Sequence, residues 1–568
     1  MSILTYTQAC NFYEELRDER SEWEAEYRTI SDYLLPGRGV YQTYSKPRKR
    51  KLVSPRVINT VAEDALYVLT SGMHGGLTSP SRPWFTNDWA DDDLQEFEPL
   101  KAWLQDSTSR LHSGLQASNF YSVINSFYTE YAGFGTASVY AGEDTNSESI
   151  PFRFELLTAG EYVFSIGADG KVDKFFRTIF RTPKQIYDLF PETCSKELKK
   201  KVEKNEPGIV VPSITILEGI YKERFQDKSY TQIFYETTSS GGPSSQTPPS
   251  KSPLKVSGFY EFPYPLARWG TIGGDVYGIG PGSRALPDIR RLQEMEKAFL
   301  MATHKSIDPP LNAPARMRGK LNTLPGGYNY YANPAETINE IYRVNFDYQG
   351  VGAAIERVEQ RIQRNFYNDL FLTASRDPNA SPLKATQVMA QDQEKMLRLG
   401  PVIERLQHEF FTPLIERCFN IMLRKGLFKP LDPQLAEMAG NYKIRMVSPL
   451  ASAQKGVALN GINSFMAFLE RASQFSPEIL DNIDSDATAR EYADITGVEL
   501  KILRPEKAIT VIRKQRSDRL AKENEEKNQR ELMLLKGKLD SDRANSTKTL
   551  SESDKVQAET SRVRDEVG

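Results

Sequence analysis

Histidine and cysteine are scarce, with 4 and 3 copies in 568 residues. His74, His112, His304 and His408 have no ligand-like spacing to one another or to a cysteine, and neither G-x-S-x-G nor H-E-x-x-H occurs. The sequence therefore predicts no catalytic residue, no metal site and no cofactor, and reads the histidines as structural. Cys10, Cys194 and Cys418 are too far apart for a disulfide framework and are expected to be reduced thiols that pack. A basic surplus is also lacking: 73 Lys plus Arg face 75 Asp plus Glu, for a formal charge of -2. Proteins that grip nucleic acid tightly usually carry a large positive excess, so the balance argues against tight, static DNA binding. No apolar run approaches the roughly 20 residues of a membrane span, and MSILTYTQACNFYEELRDER lacks the basic start and apolar middle of a secretory signal. The expectation is a soluble product that makes no membrane contact and is not exported by the general route. Asp91, Asp92 and Asp93 point in different directions along a chain and are expected to be the solvated start of a helix, not a cation site.

What the chain does have is length, enough for two to four domains, and a glycine-rich turn running into a helix, YGIGPGSRALPDIRRLQEMEKAFL at 277–300. Such turns often cradle phosphates. A P-loop, however, needs G-x-x-x-x-G-K-[ST], and the dinucleotide fingerprint needs G-x-G-x-x-G, whereas Gly278, Gly280 and Gly282 alternate and Ser283 takes the last glycine's place. The stretch is expected to be a connection that delivers the chain into a long helix, with Pro287 in its first turn.

Apolar spacing predicts an amphipathic helix from Thr7 to Leu35, and further helices at Val57 to Met73, Asp93 to Leu115 and Phe120 to Tyr131. Strand-like runs follow, ASVYAG, FRFELL, EYVFSI and KFFRTIF, then SITILEGIYKERF and YTQIFYET beyond a helical patch at Lys184 to Lys204. SSGGPSSQTPPSKSP is expected to be a surface loop, because it cannot bury enough apolar area to offset its ordering entropy. Two apolar stripes, Leu286 to Leu300 and Val351 to Leu370, predict helices flanking a small proline- and glycine-broken lobe. Another helix carries Val388, Leu399, Ile403, Leu406, Phe410, Leu414 and Phe419, with bends expected at Gly400-Pro401 and Pro413. Helical patterning continues from Met446 to Leu503, and the charged chain past Pro505 is expected to be a tail helix or partly disordered. The fold class is mainly α with an α+β N-terminal part.

Four blocks in this order resemble the head-to-tail connector, or portal, proteins of short-tailed bacteriophages. They are FYEELRDERSEWEAEYRTISDYLLP, SGMHGGLTSPSRPWF, YGIGPGSRALPDIRRLQ and KATQVMAQDQEKMLRLGPVIERLQHEFFTPLIERCFNIML. The resemblance implies the portal fold assembled as a dodecameric ring at one capsid vertex, through which double-stranded DNA is packaged and ejected. On that mapping residues 1–281 form the wing, 282–305 the first stem helix, 306–349 the clip and 350–372 the second stem helix. The tunnel loop is then 373–383, the long bent wing helix and its connection 384–445, the crown 446–505 and the charged tail 506–568. A stem helix of about 22 residues would run roughly 33 Å. The implied partners are the terminase large subunit, major capsid and scaffolding proteins, and tail adaptor proteins. The implied location is the virion's portal vertex, and host cytoplasm during assembly.

A near-neutral chain suits a conduit, since many strong phosphate contacts would impede sliding. In a ring, Arg376 and Lys384 become circles of positive charge, with Asn379 beside them on the tunnel loop; alternatively they pair with Asp377 and other neighbours. Tyr328, Tyr330 and Tyr331 in the clip are candidate anchors for the motor and the tail, or pack between neighbouring clips. The competing function is a DNA-processing packaging enzyme, an ATPase or nuclease. It is disfavoured by the missing phosphate-loop lysine and by the missing metal-binding carboxylates.

Overall fold

The computed structural model describes residues 3–36, 57–144, 150–203, 214–237, 252–371, 398–447 and 506–565, less some single positions and short stretches within them, together with short pieces between 462 and 492. They fall into two units, Met1–Ser464 and Phe465–Gly568.

Helix α1 (Tyr6–Tyr33) opens on a capping box, in which Gln8 N donates to Thr5 Oγ1 while Thr5 N donates to Gln8 Oε1 at 2.9 Å. Its first half buries Tyr6, Cys10, Tyr13 and Leu16 against Val163, Phe176, Leu217 and Ile233, and its second half buries Tyr27, Ile30 and Leu34 in the main core. The helices α2 (Val61–Leu77), α3 (Glu98–Ala117) and α4 (Phe120–Phe134) follow, with strand β1 (Phe85–Trp89) between α2 and α3. The helix expected from Asp93 begins as α3 at Glu98, with Pro99 in its first turn, where a missing N–H costs nothing.

The strand-like runs form two antiparallel sheets. β2 (Thr136–Glu143) pairs with β3 (Phe152–Leu157) and β9 (Leu266–Arg268). The larger sheet runs β4 (Tyr162–Ile166), β5 (Val172–Arg181), β6 (Ile214–Tyr221), β7 (Tyr230–Glu236) and β8 (Lys255–Phe259) in spatial order. The helical patch between β5 and β6 is two short helices, α5 (Pro183–Leu189) and α6 (Lys196–Glu203). A buried charge organises the larger sheet: Glu218, 1% exposed, accepts from the Arg177 guanidinium, from Gln232 Nε2 at 2.6 Å and from Tyr264 OH at 2.8 Å. Burial disfavours the Arg177 cation, but Glu218, Tyr264 and Glu155 together outweigh it and raise the pKa.

The chain continues into α7 (Pro281–Ile307), a small lobe with β10 (Leu311–Asn312) paired to β11 (Asn339–Glu340), then α8 (Tyr348–Asn365) and α9 (Asn368–Phe371). After α9 come α10 (Gly400–Leu406), a π-helical turn at Gln407–Phe411, α11 (Thr412–Arg424) and β12 (Tyr442–Met446). β12 pairs with β1 from Phe85↔Met446 to Trp89↔Tyr442. Neither strand stands out in the sequence, because each is short and its partner lies far along the chain.

The main core is aromatic. Phe127 stacks on Phe410 with centroids 4.0 Å apart, and Trp84 stacks on Phe120 at 5.9 Å. Cys10, Cys194 and Cys418 are buried, unbonded thiols. In the second unit the charged tail is a single helix, α12 (Glu506–Asp565), of 60 residues. No described helix is long and apolar enough to cross a membrane. Most of Met446 to Leu503, expected to be helical, lies outside the described residues.

Candidate connector site: a braced helix pair and the lobe it carries

The glycine-rich stretch is a backbone contact, not a phosphate cradle. A Cβ on Gly282 would lie 2.1 Å from Gly133 O, one on Gly280 2.9 Å from Ala132 O, and one on Gly278 2.4 Å from Gly135 O. Gly135 ends α4 in the left-handed region at φ 79°, which favours glycine. The amides a phosphate would need are already used: Gly278 N donates to Thr136 Oγ1 at 2.8 Å and Ile279 N to Gly270 O at 2.6 Å. The alternating glycines thus let α7 start directly against the end of α4.

Pro281 is the first residue of α7, where proline is pre-organised. Pro287, expected in the first turn, lies in the second, because the helix starts earlier than its apolar stripe suggests. With 27 residues α7 is roughly 40 Å long. Ile289 and Leu292 of α7 and Ile355, Val358 and Ile362 of α8 are buried in one core, and Asp288 pairs with Arg361 at 2.8 Å. A polar bracket adds α2: Gln293 Oε1 accepts from Ile58 N at 2.7 Å and Asn59 N at 3.0 Å, and Asn59 Nδ2 donates to Glu296 and Glu359. Sequence periodicity reveals none of this, since Gln293 and Asn59 read as surface residues.

The second stem helix, expected as 350–372, is interrupted. α8 ends at Asn365, and Tyr367 takes φ 57° before the short α9. Phe371, the last residue of α9, seats its ring on Gly72, where a Cβ would come within 2.2 Å of it. The tunnel-loop candidates Arg376, Asn379 and Lys384 lie outside the described residues, as does Tyr331. Leu399 is buried at the start of α10.

Of the two bends expected in the helix that follows, the one at Gly400-Pro401 follows closely on residues outside the described ones, with Gly400 the first residue of α10, and Pro413 sits just after the π turn. Proline supplies no N–H to the carbonyl four residues back, so the register slips and Thr412 N donates to Gln407 O. The turn presents Phe410 and Phe411 together to the core and turns Glu409 to Arg268. That guanidinium clasps the carboxylate at 2.6 and 3.2 Å while Arg268 N donates to it at 3.0 Å.

At the far end of the α7–α8 pair the lobe is open. Tyr328 and Tyr330 are 81% and 87% exposed, and Leu324, Ile341, Leu300, Met301 and Ile307 are also uncovered. Asn322 and Asn329 tie the lobe's turn together, Asn322 N donating to Asn329 Oδ1 and Asn329 Nδ2 to Asn322 O, both at 2.7 Å. The two described tyrosines thus stand on a braced turn at the end of a rigid pair. Elsewhere, His112 is packed against Phe85 and meets its carbonyl at 3.0 Å, and among the described residues no group of three His, Cys, Asp or Glu side chains could hold a metal ion.

Residues 7–503 match the family model described as bacteriophage head to tail connecting protein. The chain is 33% identical over 517 residues to a protein named probable portal protein from Bordetella phage BPP-1, covering 89% of this chain and 90% of that one. It is 29% identical over 517 residues to the portal protein of Salmonella phage epsilon15, covering 89% of each. Among solved structures, a chain from the virion of a native gene transfer agent particle aligns with 77% of this chain and 94% of its own length, at 9% identity and a TM-score of 0.33. With most of its length matched by the family model and by curated relatives, this chain belongs to the family of bacteriophage head to tail connecting proteins.

Proposed function

We propose that this chain is a phage portal: it builds a closed, dodecameric ring at one capsid vertex, and double-stranded DNA passes through that ring during packaging and ejection. The observation that carries this is the α7–α8 pair, rigidly tied to the main core at one end and bearing an exposed apolar lobe at the other, in a chain of the connector family. A monomer gains nothing from leaving Leu300, Met301, Ile307, Leu324, Tyr328 and Tyr330 uncovered, whereas a ring with successive partners uses such surfaces. The relatives named portal proteins support the same function.

In this assignment residues 1–281 are wing, α7 and α8 are stem, the lobe between them is clip, 373–383 is the tunnel loop, 446–505 is crown and 506–568 is tail. Arg376, Asn379 and Lys384 would meet the DNA backbone weakly, in keeping with the chain's near-neutral charge. The clip would receive the terminase large subunit during packaging and the tail adaptor afterwards, and capsid and scaffolding proteins would hold the ring in the shell. The chain would assemble in the host cytoplasm before entering the virion.

Sedimentation tests the assembly. At micromolar concentration the purified chain should run as one large species of about a dozen copies; a monomer across several salt conditions contradicts the proposal. Replacing Tyr328 and Tyr330 with Ser should leave that species intact and weaken capture of the terminase subunit or tail adaptor by about tenfold or more. Unchanged capture with intact rings would remove the docking role from these side chains.

A further inference from the structure

The exposed face of α7 is basic. Arg284, Arg290, Arg291, Lys297 and Lys305 all lie on it, with Glu294 among them. None of the five cations has an ion-pair partner among the described residues, whereas nearby carboxylates are engaged, Asp288 by Arg361 and Glu296 by Asn59. Arg290 and Arg291, with Tyr33, Pro287 and Glu294, line an open concavity of about 280 Å³.

Helix α1 offers the complement. Glu15, Asp18, Glu19, Glu22 and Glu26 fall within an arc of about 100° at 3.6 residues per turn. All but the half-buried Glu26 are exposed, and none has an ion-pair partner among the described residues. The helix's cations lie off that arc, and Arg28 is already held by Glu24 at 3.1 Å. The acidic face spans about 16 Å and the basic face, from Arg284 to Lys305, about 32 Å, so the first covers about half of the second.

Each chain thus carries two helix faces of opposite sign, the acidic one short enough to lie along the basic one, and neither has an ion-pair partner among the described residues. That is the pattern of a head-to-tail contact, in which one copy's first face meets the next copy's second and the series closes into a ring. A DNA duplex on α7 would account for the cations and leave the five carboxylates of α1 unexplained. Resting on the ring assignment above, we propose that the acidic face of α1 in one copy docks on the basic face of α7 in the next.

A charge exchange on the full chain tests this. Arg290→Glu with Arg291→Glu, and separately Asp18→Lys with Glu19→Lys, should each raise the concentration of half-assembly by about tenfold or more at low salt, with the monomer's melting unchanged. All four substitutions in one chain should return it to within about threefold of the natural protein. Rings that form normally in both two-site variants would overturn the pairing while leaving the ring assignment standing. Normal rings that lose duplex DNA only in the Arg290→Glu/Arg291→Glu variant would overturn it in favour of a DNA-facing α7. A natural chain that forms no rings would remove the ring assignment and the pairing with it.

Discussion

Replacing Gly282 with Ala should destabilise the first unit by about 3 kcal/mol or more, at the upper end of what overpacking costs. The added Cβ would meet Gly133 O at 2.1 Å, and the obstacle is backbone, so no side chain can swing aside. Relief requires α7 to move off α4, which would also loosen the Gln293 bracket and the Asp288–Arg361 pair that joins α7 to α8. Gly75→Ala is the control: it is also a helical glycine, but nothing lies within 4 Å of its added Cβ. There the change should be neutral or stabilise by up to about 1 kcal/mol. Urea midpoints for the two variants check the argument. Equal midpoints would mean that the glycine contact between α4 and α7 is not close, and that the stretch needs another explanation.

Glu218→Ala should cost about 3–5 kcal/mol, because it strands the buried Arg177 cation inside the larger sheet. Arg177 keeps Glu155, but only at 3.9 Å and at the edge of solvent, and the Tyr264 hydroxyl and Gln232 amide lose their acceptor at the same time. The companion variant, Glu218→Leu with Arg177→Met, should recover most of the loss, since well-packed apolar groups often replace a buried ion pair without penalty. A double-mutant cycle in urea measures the coupling. Additive losses would show that Arg177 finds another partner and that the pair does not organise the sheet.

The parts of this fold that the sequence makes legible are those in which one element decides its own pattern. The apolar spacing of α1, the strands around ASVYAG and FRFELL, and the two stripes flanking the lobe each follow from periodicity in a single segment. What periodicity could not show depends on a distant partner. The purpose of Gly278, Gly280 and Gly282 is set by the carbonyls of Ala132, Gly133 and Gly135, about 145 residues earlier, whose approach no local pattern encodes. The β1–β12 ladder has the same origin. Pro413 announces a disturbance, but its form, a π turn that aims Glu409 at Arg268, depends on which side chains the core accepts. Tyr328 and Tyr330 could be picked out as aromatic residues in a polar lobe, yet their exposure, 81% and 87%, on a turn tied by Asn322 and Asn329 is visible only in the structure. Gln293 and Asn59 gave no signal, because a buried amide bracket looks like surface until the helices are in place.

The central claim is that copies of this chain enclose the DNA path, and electron cryomicroscopy of filled heads tests it most directly. The account predicts one ring of this chain at a single vertex, with the α7–α8 pairs around the axis, duplex density running through the opening, and the lobe bearing Tyr328 and Tyr330 at the end that meets the motor or tail. Heads in which this chain forms no closed ring, or in which the duplex enters by a route outside it, would contradict the account.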